Sequence, residues 1–207
     1  MQTRPYPEKD GLRIWLSRTE WTALLEAVDD EPRRRIALQL GLHGLRTHEL
    51  LQVEPRHVRA LANGADGHVL TVEDGKTGKR ELPVSADLVE RIRYLKSAAR
   101  MRQDEPIVDV SKRTVRNWIA SARDVLVDPN LEENPAGALG MHDLRRTWAT
   151  DSYYSLAFAG VPIAEQLVMS WGGWAQTSTG RETFRQNYLG PVPDHVTAQT
   201  FDELPLA

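Results

Sequence analysis

The sequence predicts a mainly α-helical domain with one small antiparallel β-sheet. Three observations carry this expectation. Apolar residues recur at i, i+3, i+4 and i+7 in several segments, the period of a helix with one buried face. Two short β-rich runs flank a Gly-containing turn, the pattern of a hairpin. No internal repeat or low-complexity linker divides the 207 residues, so a single domain is expected over 1–207.

The elements follow in order. Ser17, Arg18, Thr19 and Glu20 read as a capping box that opens a helix. Trp21, Leu24, Leu25 and Val28 then share one face. After three arginines, residues 33–43 are apolar nearly all round, which predicts a buried helix. Gly44 interrupts it, and 46–51 reads as helical again. Residues 68–73 and 80–84 are the two strands, joined by DGKTGK. Leu88, Ile92 and Leu95 mark another amphipathic helix, and Val115, Trp118, Ile119 and Ala122 a further one. The stretch 114–125 carries a faint helix-turn-helix character. Residues 127–140, rich in Pro, Gly and Asn, read as an irregular loop. Helices are expected over 142–158 and 162–171, with Gly172 and Gly173 ending the second. From Gly190 onward periodicity is weak.

Composition removes whole classes of chemistry. With no cysteine there is no disulfide, cysteine-ligated zinc, iron–sulfur cluster or cysteine nucleophile. No apolar run reaches the roughly 18 residues that a membrane helix needs, and the first 15 residues lack a signal-peptide core. The expected location is therefore cytoplasmic, with no membrane partner. Net charge is −3, but it is unevenly spread. Residues 31–123 hold 18 Lys and Arg against 12 Asp and Glu, while the rest hold 8 against 17. Arg outnumbers Lys 21 to 5, and its planar fork suits phosphate.

Three local patterns could carry chemistry. In Gly44-Leu45-Arg46-Thr47-His48-Glu49, an Arg follows a buried-looking run, where its charge needs a partner or an anion. Glu49 lies one helical turn on and could orient it. In Met141-His142-Asp143-Leu144-Arg145-Arg146-Thr147, a helix puts His142 and Arg145 on one face. That pair suits a phosphoryl group, but a capped helix start with solvated charges has the same spacing. In Ser170-Trp171-Gly172-Gly173-Trp174, two glycines between tryptophans suggest a tight bend against a bulky surface. Alone, the tryptophans equally fit core packing, Tyr188 a half-buried tyrosine, and Lys76 a turn lysine. There is no HExxH, EF-hand loop, Cys/His cluster, Walker A motif or dinucleotide fingerprint, so neither metal nor cofactor is expected.

Taken together and in this order, the patterns resemble the catalytic domain of the tyrosine recombinases, or phage-type integrases, over about residues 15–190. GLRTHELLQV resembles the family's first arginine box, with Arg46 as phosphate-binding Arg and Glu49 at the acidic position. EDGKTGKRELPV resembles its β-hairpin, with Lys76 as the lysine. HDLRRTWAT resembles its His-x-x-Arg box, giving His142 and Arg145. Trp174 stands where many members have His, and Tyr188 is the implied nucleophile. The Trp-Gly-Gly-Trp form points to the archaeal, mobile-element branch. Two departures accompany the match. Trp174 and Tyr188 stand 14 residues apart, and AQTSTGRET carries about four extra residues. Only about 15 residues precede the match, so no N-terminal DNA-clamping domain is expected in this chain.

The resemblance implies site-specific cleavage and rejoining of double-stranded DNA through a covalent 3′-phosphotyrosine. Arg46 and Arg145 would neutralise the phosphate, and Tyr188 would attack it. His142 would take the tyrosine proton, and Lys76 would supply one to the leaving 5′-oxygen. Trp174 would pack or hydrogen-bond beside the phosphate, and Glu49 would hold the site. Self-association into a synaptic tetramer on DNA is implied, with the 191–207 tail docking on a neighbouring subunit. A type IB topoisomerase-like relaxing enzyme, an inactive DNA-binding regulator and a helical scaffold without a DNA role are the other readings.

Overall fold

The computed structural model describes residues 1–201 apart from Lys76, Pro129, Glu132 and Glu133. The chain opens with an antiparallel hairpin of β1 (Gln2–Pro5) and β2 (Leu12–Trp15), in which Gln2 faces Trp15 and Pro5 faces Leu12. Helix α1 (Arg18–Glu26) starts at the expected capping box. The Ser17 hydroxyl accepts from the Glu20 amide, and the Glu20 carboxylate accepts from the Ser17 amide at 2.8 Å. Helix α2 (Pro32–Leu42) has Pro at its first position, where no amide hydrogen is needed. Its residues 36–41 are all buried, as an apolar run without a polar face requires.

A single turn, α3 (Thr47–Leu50), follows, with Arg46 as its N-cap. Strands β3 (Val58–Ala60), β4 (His68–Val72) and β5 (Arg80–Val84) form an antiparallel sheet in that order, Leu70 pairing with both Val58 and Leu82. Helices α4 (Ala86–Ala98) and α5 (Lys112–Ala122) are capped by the Ser85 and Ser111 hydroxyls. Then come α6 (Met141–Phe158), α7 (Ala164–Gly172), α8 (Ser178–Asn187) and α9 (Asp194–Thr200).

Helix α2 runs through the centre of the main core and packs on α4, α5 and α6. At Gly41 a Cβ would lie 2.8 Å from Met141 Cε, so the glycine lets α2 and α6 approach. A second, aromatic cluster joins Trp148, Val168, Met169, Trp174 and Phe184. Among the described residues, no helix is long and apolar enough to cross a membrane.

The structure corrects the expected sheet content and adds helices. Among the described residues there are two sheets, not one. The β1–β2 hairpin and β3 are short and largely exposed at their outer positions, so they show little alternation. AQTSTGRET, expected to carry about four extra residues, runs into a helix. Its second half begins α8, capped by Thr177, whose hydroxyl accepts from the Gly180 amide at 3.1 Å. Only Phe184 is buried along α8, and only Val196 along α9. One buried residue per helix leaves no period to read. Truncating Phe184 to Ala would cost roughly 3–5 kcal/mol and release α8.

Candidate active site

The C-terminal turn of α7 organises the site. The last carbonyls of a helix lack intrahelical partners and carry partial negative charge, which favours cations. Here three consecutive carbonyls each accept from a different arginine. Trp171 accepts from Arg80 Nε at 2.8 Å, Gly172 from Arg145 at 2.7 Å, and Gly173 from Arg46 at 3.2 Å. Gly173 caps the helix at φ +68°, in the left-handed region that glycine adopts without strain. A Cβ at Gly172 would overlap the Trp174 ring, so this is the tight bend against a bulky surface that the sequence suggested.

Arg145 is fully buried on α6. Its other amino group donates to the Gly44 carbonyl. Gly44 has φ +85°, and a Cβ there would overlap Trp148. Gly44 and Gly172, one glycine from each motif, thus serve one guanidinium. The Arg145 guanidinium also lies over the Trp174 ring at 4.0 Å and near the Tyr188 ring at 5.5 Å. Its Nε has no partner, and Arg145 forms no ion pair among the described residues.

Among the described residues, Glu49 is the one acid in this cluster of three arginines. It accepts from Arg80 at 2.9 and 2.8 Å, from the Arg46 guanidinium at 2.7 Å and from the Arg46 amide at 2.8 Å. Burial would raise its pKa, but these hydrogen bonds and the two guanidinium charges hold it down at about 2. Arg46, Arg80 and Arg145 bring three positive charges against one negative, so two remain uncompensated. Desolvation, then repulsion from Arg46, lowers Arg145 to about 9, which still leaves it charged at pH 7.

His142 lies at the start of α6, with its ring 5.2 Å from that of Tyr188. Desolvation and the charges of Arg146, Arg145, Arg46 and Lys9 lower it to about 3. The ring keeps an exposed edge, and the four cations favour the neutral imidazole alongside desolvation. A cleft of about 230 Å³ opens here, lined by Arg46, His48, Lys112 and His142 among others. Tyr188 caps α8, with its ring edge-on to Trp174 at 4.5 Å. Trp174 is 7% exposed, stacked on Trp148 and edge-on to Phe184. Its role in this structure is packing.

The structure therefore brings Arg46, Glu49, His142, Arg145, Trp174 and Tyr188 into one place from four separate segments. Lys76, which falls between β4 and β5 in the sequence, lies outside the described residues. Helix α9 lies against α6 of its own chain, with His195 3.3 Å from Asp151, and 202–207 lie outside the described residues. Sequence reasoning missed Arg80, Lys112 and His48. Arg80 shares the quoted EDGKTGKRELPV segment, but nothing local marks its partner.

No protein-family model and no curated protein matches the chain. Solved structures do match it in fold. XerA recombinase superposes with a TM-score of 0.63 at 18% identity, over 94% of this chain and 66% of that one. XerH site-specific recombinase bound to difH substrate gives 0.63 at 17% identity, over 96% and 57%. The fold is that of the tyrosine recombinase catalytic domain. A lambda integrase tetramer bound to a Holliday junction shares this recombinase fold with a TM-score of 0.53 at 20% identity, over 86% and 50%. The chain thus spans between half and two-thirds of the length of these recombinases.

Proposed function

We propose that the chain is a site-specific DNA recombinase that cleaves and rejoins double-stranded DNA through a covalent 3′-phosphotyrosine. The observation that carries this reading is charge with a nucleophile beside it. Two positive charges stay uncompensated in a buried cluster, and the Tyr188 ring lies next to Arg145 and His142. A phosphodiester seated between Arg46 and Arg145 would supply the missing negative charge. Guanidiniums already held by helix-end carbonyls would stabilise the added charge of the transition state with little reorganisation.

The step balances within the site. The Tyr188 hydroxyl oxygen bonds to phosphorus as the bond from phosphorus to the 5′-oxygen breaks. The tyrosine proton passes to His142, which is neutral and can accept it. In the empty site the arginines make His142 a weak base. A bound phosphate offsets their charge and raises its basicity as the reaction begins. Lys76 would donate to the 5′-oxygen. Attack by another 5′-hydroxyl reverses the chemistry and joins new strands. DNA would meet the basic 31–123 stretch, and Lys112 would extend the phosphate-binding surface from the cleft. The recombinase neighbours, one of them a tetramer on a Holliday junction, support assembly of this chain on DNA.

The test is a nicked duplex on which a cleaved strand cannot be rejoined. Wild type is expected to give a protein–DNA band on a denaturing gel, and Tyr188→Phe to lose it while binding the same DNA. A band that persists in Tyr188→Phe would move the nucleophile to another tyrosine. A bound site with no band from wild type would favour the inactive regulator.

A further inference from the structure

The segment that carries Tyr188 is gripped by a part of the chain that the reaction does not otherwise use. Three successive carbonyls accept hydrogen bonds from side chains. Gln186 accepts from Arg13 at 2.6 Å, Asn187 from Arg146 Nε at 3.0 Å, and Tyr188 from Trp15 Nε1 at 3.0 Å. Thr150 adds a second bond to the Tyr188 carbonyl at 2.9 Å and accepts from the Gly190 amide at 2.9 Å. Gly190 lies directly under the Trp15 indole, where a Cβ would come within 2.7 Å of ring carbons. Trp15 itself is 3% exposed.

The grip is fixed to the same helix that carries His142 and Arg145. Asp143, Arg146, Thr147 and Thr150 stand at i, i+3, i+4 and i+7, which makes one face of α6. Asp143 and Thr147 accept from the Ile14 and Leu16 amides of the N-terminal hairpin strand and its exit, at 3.2 and 2.9 Å. Arg146 and Thr150 hold the tyrosine segment. Arg145 and His142 lie on the adjoining face. The helix therefore sets the distance between phosphate-binding groups and nucleophile, with the hairpin closing over the far side.

The geometry points to the β1–β2 hairpin as a positioning clamp that delivers Tyr188 to the arginines of its own chain, with Trp15 as the key positioning residue. This rests on the recombinase reading for its chemistry. A buried backbone carbonyl held by two donors has little freedom, so the tyrosine ring starts each cleavage from one place. Misplacing a reacting group by about 1 Å can cost on the order of 100-fold in rate.

The experiment measures single-turnover adduct formation on nicked DNA at saturating DNA, with DNA affinity and thermal unfolding measured alongside. Trp15→Phe keeps the ring and removes the N–H, and Thr150→Val keeps the shape and removes the hydroxyl. Both are expected to lower the adduct rate by about 10- to 100-fold with DNA affinity unchanged. Thr3→Ala, exposed on the same hairpin, should match wild type. Wild-type rates in Trp15→Phe and Thr150→Val would overturn the clamp, as would rate and affinity falling together with the unfolding temperature. Mixing Tyr188→Phe with Arg46→Ala should give no adduct, because neither chain holds both groups; an adduct from the mixture would overturn delivery within one chain. If wild type forms no adduct, the recombinase reading fails, and hydrogen exchange decides the clamp. A Gly190 amide slow in wild type and fast in Thr150→Val supports it, and equal exchange overturns it.

Discussion

Arg145 and Arg146 are neighbours on α6 and both are buried, yet their surroundings differ. Arg146 pairs with Asp143 at 2.5 Å and also donates to the Tyr6 hydroxyl and the Asn187 carbonyl. Its charge is spent inside the fold. Arg145 has only carbonyls, from Gly44 and Gly172, and an aromatic face. Its charge is held in place but left uncompensated. At 100° per residue the two side chains fall on adjoining faces of the helix. One face joins the hairpin to the tyrosine segment, and the other holds Arg145 against the Gly44 and Gly172 carbonyls. Burial of an arginine does not by itself mark a functional residue; the partner decides. A carboxylate makes it structural, and dipoles alone leave it able to bind an anion.

The comparison breaks most visibly at Arg146. Arg146→Ala leaves Asp143 buried and unpaired, and fold stability should fall by about 3–5 kcal/mol in urea unfolding. The salt dependence of DNA affinity should be unchanged in any of this variant that folds. A stable Arg146→Ala would remove the structural assignment. Next is the Glu49 ion cluster, which belongs with Arg145. Its carboxyl lies at about 2 in the fold against 4.5 for a free side chain, so the unfolded chain binds more protons between those values. The Glu49 contribution to stability should be fully present above about pH 4.5 and fall by on the order of 3 kcal/mol toward pH 2. Glu49→Gln should be weaker at pH 7 and lose less on acidification; equal acid loss in both would place the sensitivity elsewhere.

Arg145→Lys tests the other side of the contrast. An ammonium keeps the charge but cannot fork between two carbonyls and a phosphate. Adduct formation should drop about 100-fold while the salt slope of DNA binding stays near wild type. A lysine that restores full rate would reduce Arg145 to a point charge. The smallest effect concerns His142. Its pKa of about 3 in the fold, against 6.5 when free, means that only the unfolded state takes up a proton between those values. His142 should therefore show no titration in NMR spectra from pH 5 to 8, and should add to acid sensitivity below 6.5. A midpoint near 6.5 would show that the cations do not reach it.

Much of this was legible in the chain. The capping box at Ser17 and Glu20, the buried run of α2 and the HDLRRTWAT helix all formed as expected, because each signal lies within a few residues. The same helix hid its second polar face. Asp143, Arg146, Thr147 and Thr150 read as a solvated helix start, yet all four are at most 5% exposed. The hairpin that covers them was missed, since β1 has no buried residue and β2 only two. Helix α8 was missed because Phe184 alone anchors it.

The sequence by itself determined which segments become helices, which residue types could hold a phosphate, and where glycine lets the chain bend. These depend on capping, periodicity and steric freedom, all local properties. Only the tertiary structure decided which charges are neutralised and what holds Tyr188. Arg80 meets Glu49 across 31 residues, Arg46 meets Gly173 across 127, and Trp15 meets Tyr188 across 173. A hydrogen bond is satisfied by whichever partner packing brings within about 3 Å, and no local pattern encodes that choice.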